Sequence, residues 1–74
     1  MIDEGTAIAV ARARAAEKGW AFLEPVRVTT RRTWFRGKPM RYEVYTNDGQ
    51  RGAMARFVVD ASSGAILDEG YVPL

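Results

Sequence analysis

Cysteine and histidine are both absent from this chain of 74 residues. Without cysteine there are no disulfides, no thiol nucleophile, no iron–sulfur cluster and no thiolate-bound zinc. Without histidine the commonest metal ligand and neutral-pH acid–base group are also missing. Serine occurs only as the neighbours Ser62 and Ser63, with no histidine to activate either, so no serine triad can be assembled. No uninterrupted apolar run reaches the length of a signal or membrane-spanning segment, and the opening Met1-Ile2-Asp3-Glu4 is acidic. These absences set the expectation of a cytoplasmic, non-enzymatic protein with no cofactor, no metal and no membrane partner.

What is present fits one small folded unit over residues 1–74. A hydrophobic fraction of 47% beside 27% charged residues lies in the globular range, and a chain this short buries only a modest core. Charge is unevenly spread. Between Arg27 and Arg56 eight basic residues face only Glu43 and Asp48, whereas acids predominate towards both ends. Such a segment prompts a search for a polyanion-binding strip, with folding free to interleave the two sets.

The pattern predicts a helix from about Thr6 to Lys18, rich in alanine and free of proline, with Asp3 or Thr6 as its cap and Gly19 closing it. Ala7, Ile8, Ala11 and Ala15 share one face, and side chains this small imply close approach to a sheet. Alternation of apolar or β-branched residues with arginine then predicts a strand over Val26 to Trp34, and Gly37-Lys38-Pro39 a turn. Met40 to Thr46 reads as the next strand, Asn47 to Gly52 as a loop with an Asp-Gly signal, and Ala53 to Asp60 as a third strand. In Ala61-Ser62-Ser63-Gly64 the Asp60 carboxylate can accept turn amides and Gly64 can take positive φ, before a last strand from Ala65 to Val72. The expected fold is α+β, one N-terminal helix on a curved antiparallel sheet of about four strands.

One sheet face is thereby left open. With Val26, Val28, Thr30, Tyr42, Val44, Phe57 and Val59 towards the helix, the outward set contains Arg27, Thr29, Arg31, Arg41, Glu43, Tyr45, Met54, Arg56 and Val58. Arg27, Arg31, Arg41, Tyr45, Met54, Arg56 and Val58 are the candidate binding residues, with Tyr45, Met54 and Val58 as apolar anchors inside a charged surround. Trp20, Phe22, Trp34 and Phe57 are assigned to the core.

Other constellations are weaker. Asp68 and Glu69 point to opposite sides of a strand and make no catalytic pair. Asp60, Ser62 and Glu69 approximate a calcium loop only with the glycine misplaced and the second acid missing. Gly49-Gln50-Arg51-Gly52 has the letters of an RNA-clamping loop but joins two strands rather than two helices. A nucleic-acid surface could use Arg27, Arg31, Arg32, Arg36 and Arg41 interleaved with Trp34, Phe35, Tyr42 and Tyr45, since guanidinium groups neutralise phosphates and aromatic rings stack on bases.

The order of elements, with Ala7-Ile8-Ala9-Val10-Ala11 in the helix, Arg41-Tyr42-Glu43-Val44-Tyr45 in a middle strand and Phe57-Val58-Val59-Asp60-Ala61-Ser62-Ser63-Gly64-Ala65-Ile66-Leu67 near the end, resembles PepSY-type domains. The resemblance implies a cystatin-like sheet around one helix, as in peptidase propeptides and bacterial regulatory or interaction modules, generally without catalysis. Cysteine-peptidase inhibition is not carried over, because the glutamine, valine, glycine wedge of cystatin-like inhibitors is reduced here to Gln50-Arg51-Gly52. The expected function is recognition of a protein or peptide, a second copy of the chain included, through the open face or an edge strand. Nucleic-acid binding is the alternative, and binding of a cognate toxin, as by bacterial immunity proteins of similar layout, is a further one.

Overall fold

The computed structural model describes residues 2–32 and 39–73, the side chains of Pro39 and Met40 excluded. Trp34, Phe35 and Arg36, and Gly37 and Lys38 of the expected Gly37-Lys38-Pro39 turn, therefore lie outside the described residues, while Pro39 opens a strand. Helix α1 spans Glu4–Lys18 and is followed by strands β1 (Arg27–Arg32), β2 (Pro39–Tyr45), β3 (Met54–Asp60) and β4 (Ile66–Val72). The strands pair in sequence order, β1-β2-β3-β4, antiparallel throughout, so β1 and β4 are the edges. One helix on a four-stranded antiparallel sheet makes this an α+β fold.

The helix starts two residues before the sequence pattern suggests because Asp3 is the cap and Thr6 is what it captures. The Asp3 carboxylate accepts the Thr6 N–H at 2.8 Å, which holds the carboxyl below its ordinary value. At the other end Gly19 adopts φ 70°, and the Gly19 and Trp20 amides return to the Ala16 and Ala15 carbonyls, a paired closure that needs the left-handed residue. Ala7, Ala11 and Ala15 are fully buried, while Ile8 is only half-buried. Three methyl groups one turn apart let the helix settle against Tyr42, Val44, Ala55, Phe57, Val59 and Ala61. A bulkier residue at Ala11 would have to displace the helix, at about 1–3 kcal/mol.

Segment 20–26 closes one end of this core. Trp20 stacks on Tyr71 with ring centroids 5.2 Å apart and tilts against Phe57 at 5.9 Å, while Phe22 meets Phe57 at 6.4 Å. The segment is tied to the β2–β3 loop, whose Asn47 and Asp48 amides donate to the Leu23 and Pro25 carbonyls. Asn47 is buried at φ 54°, a conformation asparagine tolerates, and its side-chain amide donates to the Arg51 and Ala53 carbonyls. The opposite end is held by the Ile2 amide on the Ala61 carbonyl and the Tyr42 hydroxyl on the Ile2 carbonyl. In the β3–β4 turn Asp60 accepts from the Ser63 amide and hydroxyl, and Gly64 takes φ 78°, as the turn chemistry predicts.

Candidate functional site

The registers decide which residues share a face. Arg27 lies opposite Tyr45, Tyr45 opposite Arg56, and Arg56 opposite Gly70, so these four form one row across the sheet. The next row is Thr29, Glu43, Val58 and Asp68, followed by Arg31, Arg41 and Asp60, while Met54 pairs with Val72 at the other end. All seven candidate residues, Arg27, Arg31, Arg41, Tyr45, Met54, Arg56 and Val58, thus fall on the face away from α1. The intervening residues Tyr42, Val44, Ala55, Phe57 and Val59 belong to the core.

Tyr45 is the hub of this face. Its hydroxyl donates to Glu43 Oε1 at 2.9 Å, and the Arg27 guanidinium lies over its ring at 4.6 Å. Arg31 Nε donates to Glu43 Oε2 at 3.2 Å, so both carboxylate oxygens have partners. Glu43 is only 7% exposed on a face that no described helix or strand covers. The Tyr45 hydroxyl foremost, then Arg31, holds its carboxyl below the ordinary value against the opposing effect of burial. Arg27 Nε donates to Asp48 Oδ1 at 3.0 Å and Arg56 Nη1 to Asp68 Oδ2 at 3.2 Å. Asp68, followed by the Tyr45 oxygen, holds the Arg56 guanidinium above its ordinary value.

Two expectations about individual residues change in this setting. Val58 points to the open face but is 3% exposed, so it forms a floor and offers no contact area as an anchor. Arg27, Arg31 and Arg56 are each bound to a carboxylate, so the cations of this face are largely matched by its own acids. Asp68 and Glu69 diverge as expected: Asp68 meets Arg56 on the open face, whereas Glu69 turns towards α1 and takes a two-pronged bond from Arg14 at 2.7 and 3.0 Å. Arg14, with Lys18, holds the Glu69 carboxyl below its ordinary value.

Sequence reasoning passed over Gly70. A hollow of about 350 Å³, almost wholly apolar in lining, opens beside it, bounded by Tyr45, Met54, Arg56 and Val72 on the open face. Tyr45, Met54 and Arg56 are half-buried around it and Val72 is exposed. Among the described residues no cluster of metal-ligating groups forms, and no helix is long and apolar enough to cross a membrane. No family model, curated protein or solved structure matches the chain.

Proposed function

We propose that this chain is a non-enzymatic, PepSY-like interaction module of cystatin-like outline that binds an extended protein segment or peptide on its open sheet face. The observation that carries the reading is the apolar hollow bounded by Tyr45, Met54, Arg56, Gly70 and Val72, with room for one large side chain. Around it the polar groups are already bonded to one another, so an apolar side chain can enter without stranding a charge. The pairing of Arg27, Arg31 and Arg56 with acids supports a protein partner over nucleic acid, because it reduces the net charge offered to phosphates.

Selection of displayed random peptides against the wild-type protein, with Met54→Asp as counter-selection, tests the reading. Enrichment of peptides that bind the wild type and lose the variant, while Met54→Asp keeps its melting temperature, is the expected result. Failure to enrich any such peptide, together with salt-sensitive binding of single-stranded DNA or RNA, would replace it with the nucleic-acid reading.

A further inference from the structure

Gly70 stands in edge strand β4 with no reason internal to the fold. Its φ is not in the left-handed region, and a Cβ built on it meets nothing within 4 Å. Glycine within a strand weakens the strand and often marks a place where another backbone or a ligand approaches closely. Here its missing side chain opens the hollow between Tyr45, Met54, Arg56 and Val72. The outer edge of β4 pairs with no described strand. Asp68, two residues before Gly70 on the same face, has a side chain 61% exposed whose oxygens accept from Arg56 and from the Glu69 amide, with acceptor capacity left for a further donor.

Resting on the interaction reading above, we propose that the partner is an extended peptide that adds to β4 as a fifth antiparallel strand. An aromatic side chain opposite Gly70 lies over the glycine into the hollow, and a lysine or arginine two residues later stands opposite Asp68. Strand addition pairs the backbone groups of an open edge, of which the Glu69 N–H already donates to Asp68 Oδ1 at 2.9 Å. An aromatic ring across from an edge glycine covers the backbone that the glycine exposes. In an antiparallel pair the residue two places after the one facing Gly70 faces Asp68, which fixes the order as aromatic, any residue, basic. The basic residue joins Arg56 as a second partner of Asp68, and β4 itself, Ile66–Val72, has no basic residue, so a second copy of this strand lacks the proposed order.

The probe is the capped heptapeptide threonine-valine-threonine-tryptophan-threonine-lysine-threonine, titrated into isotope-labelled protein and followed by amide shifts. Shifts should concentrate along β4 and at Tyr45 and Met54. Replacing tryptophan by alanine should weaken binding at least about tenfold, as for a buried aromatic anchor. Replacing lysine by glutamate should weaken it about threefold to fivefold, as for an exposed ion pair turned to repulsion. Gly70→Val should weaken binding at least about tenfold while leaving the melting temperature unchanged or raised. N-methylation of the peptide amides that face β4 should abolish binding, whereas methylation of the alternate amides should not. Gly70→Val binding within twofold of the wild type, shifts running along β1, or binding indifferent to N-methylation would each overturn the inference. If displayed peptides enrich against the wild type but lack the aromatic-any-basic order and ignore Gly70→Val, this inference fails and the broader reading stands. If no peptide enriches, both fail. Concentration-dependent shifts at β4 without peptide would assign the edge to a second copy and overturn it as well.

Discussion

The two faces of the sheet are built from alternate residues of the same strands, yet they are closed by different physics. Towards α1 the closure is mainly steric: alanines at Ala7, Ala11 and Ala15 seat the helix on Val44, Phe57 and Val59, and the ion pairs of Arg14 and Lys18 with Glu69 lie at its margin. On the open side Val58 and Glu43 are nearly as well buried, but there Glu43 is bonded to Tyr45 and Arg31, with Arg56 and Asp68 paired alongside. The comparison teaches that burial by itself does not separate a packing face from a working one. A face closed by polar bonds can keep a hollow beside it, as at Gly70, which close packing under a helix would have filled.

Truncation on the covered face should have the largest effect. Phe57→Ala empties a fully buried site in contact with Trp20 and Phe22, and should lower stability by about 3–5 kcal/mol in urea melts. On the open face Glu43→Ala should lose about 1–2 kcal/mol, because it removes the acceptor of the Tyr45 hydroxyl and of Arg31, whose exposed side chain regains water. Equal losses for the two variants would erase the distinction between the faces.

Acid should act through the ion-paired carboxylates. Glu43 and Glu69 are held below the ordinary value of 4.5, so the unfolded chain binds their protons first as pH falls. Their contribution is complete above that ordinary value and is lost as pH drops through the lower folded value. Stability should therefore be nearly flat at neutral pH and decline in acid, with a shallower decline in Glu43→Gln. An unchanged slope in that variant would mean that the carboxylate bonds contribute nothing.

Changes at the hollow should be the mildest for the fold. Met54→Asp should alter stability by less than about 1 kcal/mol, and Gly70→Ala should raise it by up to about 1 kcal/mol, since the alanine methyl has open space and glycine is the looser residue in the unfolded chain. A marked loss for Gly70→Ala would show that the glycine serves the fold after all. Tyr45→Phe is the cleaner probe of the anchor than Tyr45→Ala. Alanine would also remove the ring beneath Arg27, whereas phenylalanine gives up only the hydroxyl bonded to Glu43.

Much of this architecture was legible because its causes are local. Asp3 and Gly19 bracket the helix by capping chemistry, and period-two alternation assigns Tyr42 and Val44 to one side and Arg41, Glu43 and Tyr45 to the other. The working details are not local. The burial of Glu43 depends on Arg31, twelve residues away, and the anchoring of Glu69 on Arg14, fifty-five residues away. The hollow depends on Gly70 standing beside Arg56, a register set across a strand pair that shifts between Val58 and Val59. Along the chain Gly70 is only a small residue after two acids. Val58, an anchor by alternation, becomes a floor because its neighbours on both sides carry longer side chains.

Hydrogen exchange of the backbone amides, with and without a peptide selected by display, tests the account most directly. Slowed exchange confined to β4, with α1 and β1 unchanged, is the result predicted for a partner strand added beside Gly70. Protection gained along β1 or on α1, with β4 exchanging as before, would contradict it.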